Sequence, residues 1–133
     1  EVRSQVAVPP ESIEVLKKLS RHFPLAVITN GNVLLERIGL DGHFKHVLKA
    51  GNGQRMKPAP DLFRLMAARL ELQPQQILHV GDDVNTDVFG AIRNGYQAAW
   101  INNQGQDWRS LHTLPHLMLQ DIRDLLTLIP EAQ

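Results

Sequence analysis

The sequence contains no cysteine, carries no net charge and has no long apolar run, and each absence excludes a class of protein. Without cysteine, the 133 residues form no disulfide, thiolate metal site or thiol nucleophile. This composition is compatible with the reducing cytoplasm, where we expect the protein to be. Lys+Arg and Asp+Glu both number 14, so charge predicts neither nucleic acid nor a membrane surface as a partner. No apolar run approaches the roughly 18 residues of a membrane span.

The pattern of apolar residues predicts strands that alternate with helices. A hydrophobic content of 43% is ordinary for a globular domain able to bury a core. Short apolar runs predict strands at residues 25–28, 47–48, 77–80, 98–101 and 117–118. Apolar residues at helical spacing predict helices near residues 13–23, 33–38, 60–70, 84–92 and 122–129. This alternation predicts an α/β fold with a Rossmann-like, doubly wound parallel sheet.

Residues 77–91, ILHVGDDVNTDVFGA, are the stretch around which the chain is organised. A buried strand passes into a helix there, and the junction carries Asp82, Asp83 and Asp87. In open α/β sheets, ligands bind in the crevice beyond the carboxyl ends of the strands. Crowded carboxylates repel one another unless a cation lies among them, and Mg²⁺ takes oxygen ligands of this type. The alternative is that Asp82 or Asp83 caps the helix and the others are solvated.

Two further segments carry residues that suit an anion. Thr29 and Asn30 follow the first predicted strand, where a hydroxyl and a backbone amide could bind an anion, although these residue types also form simple turns. Lys57 lies in the loop GNGQRMKPAP, where Pro58 and Pro60 stiffen the backbone around it. A lone loop lysine is commonly a solvated charge. A lysine held near three aspartates would instead complete a charge-balanced site for a phosphate and a metal.

These segments, in this order, resemble the motifs of a known family. ITNGN at 28–32, KPAPDLF at 57–63 and HVGDDVNTDVFGA at 79–91 are similar to the second, third and fourth motifs of the haloacid dehalogenase-like (HAD) hydrolase superfamily. The resemblance implies a magnesium-dependent phosphatase in which an aspartate on the first strand forms an aspartyl-phosphate that water hydrolyses. Among the branches of this superfamily, the motif sequences are most similar to those of bacterial phosphatases that act on flavin mononucleotide and related riboflavin-pathway phosphates.

The resemblance also implies a role for each candidate residue. Thr29 and the amide of Asn30 would bind the phosphoryl oxygens, and Lys57 would neutralise charge on the phosphate and the nucleophile. Asp82 would be a magnesium ligand. Asp83, which stands where many relatives carry serine, would contact the metal through water. Asp87 would support the site from beside Lys57 or a metal-bound water. The implied substrate is a small phosphate monoester.

The family's first motif, Asp-x-Asp-x-Thr on a strand, is absent from the sequence. No two aspartates are separated by one residue, and none ends a strand before Thr29. We expect residues 1–8 to be a linker or a cap remnant, and 9–133 to be the C-terminal part of the HAD-like core. Its sheet would be incomplete because the central first strand and the cap are missing, so the chain alone is expected to be inactive. A missing N-terminal segment, a second chain or direct strand pairing would fill the gap between the strands at 25–28 and 77–80.

Two other functions fit the same residues. A haloacid dehalogenase of this superfamily needs no magnesium, whereas the acidic run at residues 82–87 favours the metal enzyme. A non-catalytic sheet module would keep the loops for regulation or partner binding, and then the sequence upstream of Glu1 would add no Asp-x-Asp motif. Three larger side chains are assigned to packing: Trp100, Trp108 and His79, the last as a core residue with a hydrogen-bond partner.

Overall fold

Short strands alternate with helices along residues 10–29, 44–51 and 53–129, which the structure, a computed structural model, describes. The α-helices are α1 (Pro10–Ser20), α2 (Pro60–Leu70) and α3 (Gly90–Arg93). The strands are β1 (Ala26–Thr29), β2 (His46–Lys49), β3 (Leu78–Gly81), β4 (Gln97–Ile101) and β5 (Leu117–Leu119). A π-helix, Val84–Phe89, leads into α3, and a 3₁₀ helix, Ile122–Leu128, follows β5.

The described strands are all paired in parallel, but they form two separate sheets. β1 pairs with β2, and Val27 lies opposite Val47. β3, β4 and β5 pair in that order, and Val80 lies opposite Ala99. Parallel neighbours need crossover connections, and the one between β3 and β4 contains the π-helix and α3. The parallel, Rossmann-like α/β class predicted from the sequence is confirmed.

Helices cover both faces of the sheets. On one face, α2 and the π-helix pack against β4 through Phe63, Val88 and Trp100, each at most 1% exposed. On the other face, α1 and the 3₁₀ helix after β5 bury Leu19 and Leu125 against each other. Because both faces bury apolar surface, the fold has the three layers of a doubly wound domain.

A cleft of about 540 Å³ separates β1 from β3. Residues 25–28 and 77–80 contribute to its walls, and most of the lining side chains are apolar. Within the described ranges, β1 is paired only with β2, and β3 is paired only with β4, so each of these two strands has one edge without a strand partner. Unpaired edges leave backbone N–H and C=O groups without ladder partners. The cleft lies between the two segments, 25–28 and 77–80, that the family resemblance predicts to flank a further strand.

Two helical segments differ from the prediction in type but not in place. Residues 84–92 were predicted as one helix, whereas the structure has a π-helix followed by α3, with Val88 N–H donating to the carbonyl of Asp83 five residues back. Val88 and Ala91 are fully buried, as their spacing predicts. The segment after β5 is 3₁₀ rather than α-helical. Apolar spacing identifies a buried face, but it does not fix the hydrogen-bond register.

Trp108 does not pack as predicted. It is 46% exposed, so that prediction is wrong. Asn102 and Gln106 hold the loop instead: the Asn102 amide donates to the Gln106 carbonyl at 2.8 Å and accepts from the Gln106 N–H at 2.9 Å. These bonds close the loop without burying the indole.

Some predictions lie outside the described residues. They are the linker at 1–8, the helix at 33–38 and the position of Asn30. Within the residues that are described, no helix is both long enough and apolar enough to cross a membrane.

Candidate active site

Lys57 connects the carboxyl end of β1 to the segment that follows β3. Its Nζ donates to the carbonyl oxygen of Ile28 at 3.2 Å, one residue before the end of β1. It also donates to Oδ1 of Asp87 at 2.7 Å, in the π-helix after β3. The two side chains are only 10% and 9% exposed. Lys57 and the aspartate-bearing segment therefore meet at the edge where the motif order predicts a site.

The loop that carries Lys57 is bonded to the first turn of α2. Arg55 forms an ion pair with Asp61 in the first turn of α2, where Nη2 and Nε both donate to Oδ1, at 2.8 and 3.1 Å. The Arg55 backbone N–H donates to the same carboxylate at 2.8 Å. α2 begins at Pro60, where the missing N–H forfeits no helical hydrogen bond. The Lys57–Pro58 peptide bond is cis. The contacts between Arg55 and Asp61 thus tie the residues before Lys57 to the start of α2.

Asp87 accepts hydrogen bonds from three different segments. Its Oδ1 lies 2.7 Å from Lys57 Nζ and 2.9 Å from His79 Nε2, and its Oδ2 accepts from the Asp83 N–H at 3.2 Å. Burial alone would raise the pKa of this carboxyl. The hydrogen bonds and electrostatic attraction from His79 and Lys57 outweigh burial and lower the pKa to about 2. Asp87 is therefore an ionised carboxylate at neutral pH.

Gly81 allows the Asp87 carboxylate to lie against the end of β3. A Cβ atom at position 81 would fall 2.2 Å from both Cγ and Oδ2 of Asp87. No side chain fits there unless Asp87 moves. The glycine between the strand and the aspartates therefore has a steric role.

Asp83 caps the helical segment, which is the alternative that the sequence leaves open for it. Its Oδ1 accepts the N–H groups of Asn85 and Thr86, each at 2.9 Å. Asp82 is exposed, and its carbonyl accepts a hydrogen bond from Trp100 Nε1 at 3.2 Å. A polar cavity of about 480 Å³ opens beside both aspartates, lined also by the amide-rich loop that follows β4.

The side chains of Asp82 and Asp83 carry donors of the type that a metal ion binds. Both side chains are exposed and offer carboxylate oxygens, the donors that Mg²⁺ prefers. Within the described part of the chain, no three His, Asp or Glu side chains are grouped closely enough to hold a metal ion. Asp82 and Asp83 therefore fit magnesium as an incomplete ligand set.

Thr29 is the last residue of β1 and directly follows Ile28. Its backbone thus lies at the sheet edge where Lys57 contacts the Ile28 carbonyl. The Thr29 side chain and Asn30 lie outside the part of the chain that the structure describes. Their contacts to a phosphate stay predictions.

Sequence reasoning gave no functional role to three residues that contact the site: His79, Gly81 and Trp100. The prediction that His79 is a buried residue with a hydrogen-bond partner is confirmed, since it is 11% exposed and its partner is Asp87. A polar side chain inside an apolar strand is a signal for such a partner, because buried polar groups are paired. The packing role predicted for Trp100 is also confirmed, with 1% exposure.

Both the sequence and the fold match known proteins. A family model described as haloacid dehalogenase-like hydrolase matches residues 1–95. The chain is 44% identical over 131 residues to the 5-amino-6-(5-phospho-D-ribitylamino)uracil phosphatase YigB of Escherichia coli (strain K12), with 96% of this chain and 55% of the relative covered. It is 29% identical over 121 residues to N-acylneuraminate-9-phosphatase of Homo sapiens, with 86% and 49% covered.

A solved structure is also similar to this chain. A 2-haloacid dehalogenase from Pseudomonas syringae pv. Tomato DC3000 superposes with a TM-score of 0.87 and 34% identity, over 94% of this chain and 54% of that one. The chain thus spans about half the length of the curated relatives and the solved structure that it matches.

Proposed function

Because this chain belongs to the haloacid dehalogenase-like hydrolase family, we propose that it forms the C-terminal part of the catalytic core of a magnesium-dependent phosphatase acting on a small phosphate monoester. The position of Lys57 carries the proposal: its ammonium lies between the end of β1 and the Asp87 carboxylate, at the sheet edge where α/β proteins bind ligands. A fixed cation there is suited to neutralising a phosphate. Relatives named as phosphatases support the same reaction class.

Lys57 and Thr29 are the proposed catalytic residues of this chain. Lys57 neutralises charge on the phosphoryl group, and Thr29 with the amide of Asn30 binds the phosphoryl oxygens. An aspartate outside this chain attacks phosphorus, so that an oxygen–phosphorus bond forms while the bond to the alcohol breaks. Water then hydrolyses the aspartyl-phosphate. The chain alone lacks that nucleophile and is expected to be inactive.

Asp82 and Asp83 are the proposed magnesium ligands of this chain. Their exposed carboxylates follow β3, and the backbone N–H of Asp83 donates to the Asp87 carboxylate. One oxygen of Asp83 is used in the helix cap, so Asp83 reaches the ion through its other oxygen or through water. The ion, when bound, supplies positive charge that offsets the repulsion between a phosphate and a carboxylate nucleophile.

We place the missing nucleophile on a strand that fills the cleft between β1 and β3. The open edges of both strands and the apolar lining of the cleft support this. An upstream segment of the same protein is the proposed occupant. The test is intact mass together with native mass spectrometry of the purified protein. A stable monomer with only these 133 residues would contradict the proposal. A complex with a second copy or with another chain would show that the occupant is not an upstream segment of the same protein.

A riboflavin-pathway phosphate is the proposed substrate. The 44% identity to a relative named for a phosphoribitylamino-uracil supports it. It is tested by comparing kcat/KM of the complete protein for that ester and for an unrelated sugar phosphate. The cytoplasmic location stays a prediction.

The reaction itself is tested on the complete protein with p-nitrophenyl phosphate, with magnesium and with excess chelator. We expect turnover that needs magnesium, and a loss on the order of 10²-fold for Lys57→Ala and for Asp82→Asn. Exposed residues of the same types provide matched controls, Lys18→Ala and Asp107→Asn, which should keep full activity. A near-normal rate in either site variant removes that residue from the site.

Dehalogenation is the second candidate, because a solved 2-haloacid dehalogenase superposes closely on this chain. If dehalogenation is the reaction, the complete protein should release chloride from 2-chloropropionate when no magnesium is added. Chloride release without phosphate release would replace the phosphatase proposal.

A further inference from the structure

We propose that His79 is a positioning residue that keeps Lys57 in its working position by clamping the Asp87 carboxylate. The inference rests on the proposed function, because it concerns the lysine assigned to the phosphate. It gives a role in the reaction to a residue that the sequence assigned to the core alone.

The clamp consists of two donors on one oxygen. His79 Nε2 lies 2.9 Å from Asp87 Oδ1, the same atom that accepts from Lys57 Nζ at 2.7 Å. The other oxygen, Oδ2, accepts the Asp83 N–H at the longer distance of 3.2 Å. Without the imidazole, the Asp87 carboxylate would keep the bond from Lys57 on Oδ1 and the longer bond from the Asp83 N–H on Oδ2. The carboxylate would then be held less firmly, and with it one of the contacts that position the Lys57 ammonium.

His79 is itself oriented by the hydrophobic core. Its ring meets Phe63 edge-on, with ring centroids 5.2 Å apart and an interplanar angle of 78°. Phe63 is fully buried and meets Tyr96 in the same way at 5.2 Å, and the Tyr96 hydroxyl donates to the Phe63 carbonyl. Edge-to-face contacts of this kind fix ring orientation. A continuous set of contacts thus runs from the core through His79 and Asp87 to Lys57.

The direction of the hydrogen bond follows from chemistry. An ionised carboxylate only accepts hydrogen bonds, so His79 must carry a proton on Nε2. Neutral imidazole can meet this requirement in one of its two tautomers. The inference therefore specifies the Nε2–H tautomer for neutral His79.

Substitution at position 79 separates a hydrogen-bonding role from a packing role. His79→Gln keeps an N–H donor at similar reach, whereas His79→Leu keeps apolar volume but no donor. In the complete protein with p-nitrophenyl phosphate, we expect His79→Leu to lower kcat about tenfold with a smaller change in KM, and His79→Gln to recover most of kcat. The exposed His112 offers matched controls, His112→Leu and His112→Gln, which should leave kcat unchanged. Equal rates for the two position-79 variants, or no loss in either, would overturn the inference.

A double mutant tests whether His79 acts through Asp87. In an Asp87→Ala background, adding His79→Leu should cost less than twofold in kcat, because the acceptor that His79 clamps is gone. A full tenfold further loss would show that His79 acts by another route and would overturn the inference.

A measurement without turnover keeps the inference separate from the proposed function. Long-range ¹H–¹⁵N NMR of the histidine side chains in the unmodified protein should assign the Nε2–H tautomer to His79 at slightly alkaline pH. The Nδ1–H tautomer would overturn the inference even if the phosphatase is active. The Nε2–H tautomer in a protein without phosphatase activity would support the clamp and contradict only the proposed function.

Discussion

The Lys57 ammonium and the Asp87 carboxylate lie 2.7 Å apart although 30 residues separate them in the chain. Lys57 also donates to the Ile28 carbonyl of β1, whereas Asp87 follows β3, so this ion pair connects the two sheets across their cleft. Both side chains are about nine-tenths buried. The pair therefore has two consequences, one for stability and one for the position of the cation that the proposed reaction uses.

Removing the Lys57 ammonium should destabilise the protein. Lys57→Met keeps most of the side-chain volume but leaves the Asp87 charge in a largely buried site, where His79 and the Asp83 N–H still contact it. We expect a loss of roughly 2–3 kcal/mol in the free energy of unfolding, because breaking a buried pair strands one charge. Urea denaturation of the complete protein measures it. Lys18→Met, at an exposed position of α1, should change stability by less than about 0.5 kcal/mol.

Acid should remove the stability that comes from Asp87. The pKa of its carboxyl is lowered from 3.8 to about 2 in the folded protein. A lowered pKa contributes stability that is present above about pH 4 and is lost as the pH falls towards 2. The difference corresponds to about 2 kcal/mol. Unfolding free energy followed from pH 5 to pH 2 should fall less steeply in Asp87→Asn than in the unmodified protein, and parallel curves would contradict the assignment.

Alanine at position 81 should disturb both stability and activity. The new Cβ would lie 2.2 Å from Asp87 Cγ, so the carboxylate must leave its three donors. We expect a destabilisation of about 2–3 kcal/mol, typical of overpacking, and a loss of activity on the order of tenfold or more. Gly53→Ala is the comparison: its new Cβ meets no atom within 4 Å, so only the strain of its positive φ remains. That variant should keep its kcat, and a normal kcat in Gly81→Ala would show that the position of Asp87 is not critical.

Trp100→Phe should weaken magnesium binding. The indole N–H donates to the carbonyl of Asp82, the proposed metal ligand, at 3.2 Å. Phenylalanine keeps most of the packing but frees the backbone that carries this carboxylate. We expect a loss of about 1 kcal/mol in unfolding free energy and a several-fold rise in the magnesium concentration that gives half-maximal activity.

The second tryptophan provides the control for that experiment. Trp108 is 46% exposed, so Trp108→Phe should leave unchanged both the free energy of unfolding and the magnesium concentration that gives half-maximal activity. If Trp100→Phe and Trp108→Phe need the same magnesium concentration for half-maximal activity, Trp100 does not influence the metal site.

Much of the fold could be read from local patterns. The apolar runs locate all five described strands to within two residues, because buried strands need continuous apolar residues in a doubly covered sheet. The start of α2 at Pro60 follows from proline's fit to the first turn of a helix. The π-helix and the final 3₁₀ helix were not predicted, since the same apolar face serves helices of different hydrogen-bond register.

The site was predicted in composition but not in its contacts. Motif order alone indicated that Lys57 and the aspartates belong together, since parallel strands end at one edge of a sheet. The sequence could not show that Asp83 caps a helix while Asp87 binds Lys57, because both are aspartates in the same acidic run. Nor could it show that His79 shares an oxygen with Lys57.

The sequence by itself determined the alternation of strands and helices, the family and the set of charged residues near the sheet edge. These depend on residue type and spacing along the chain. Only the tertiary structure decided which aspartate pairs with Lys57, why position 81 admits no side chain, and that a cleft separates β1 from β3. The physical reason is that ion pairs, steric contacts and strand edges depend on distances between segments that lie far apart in the chain.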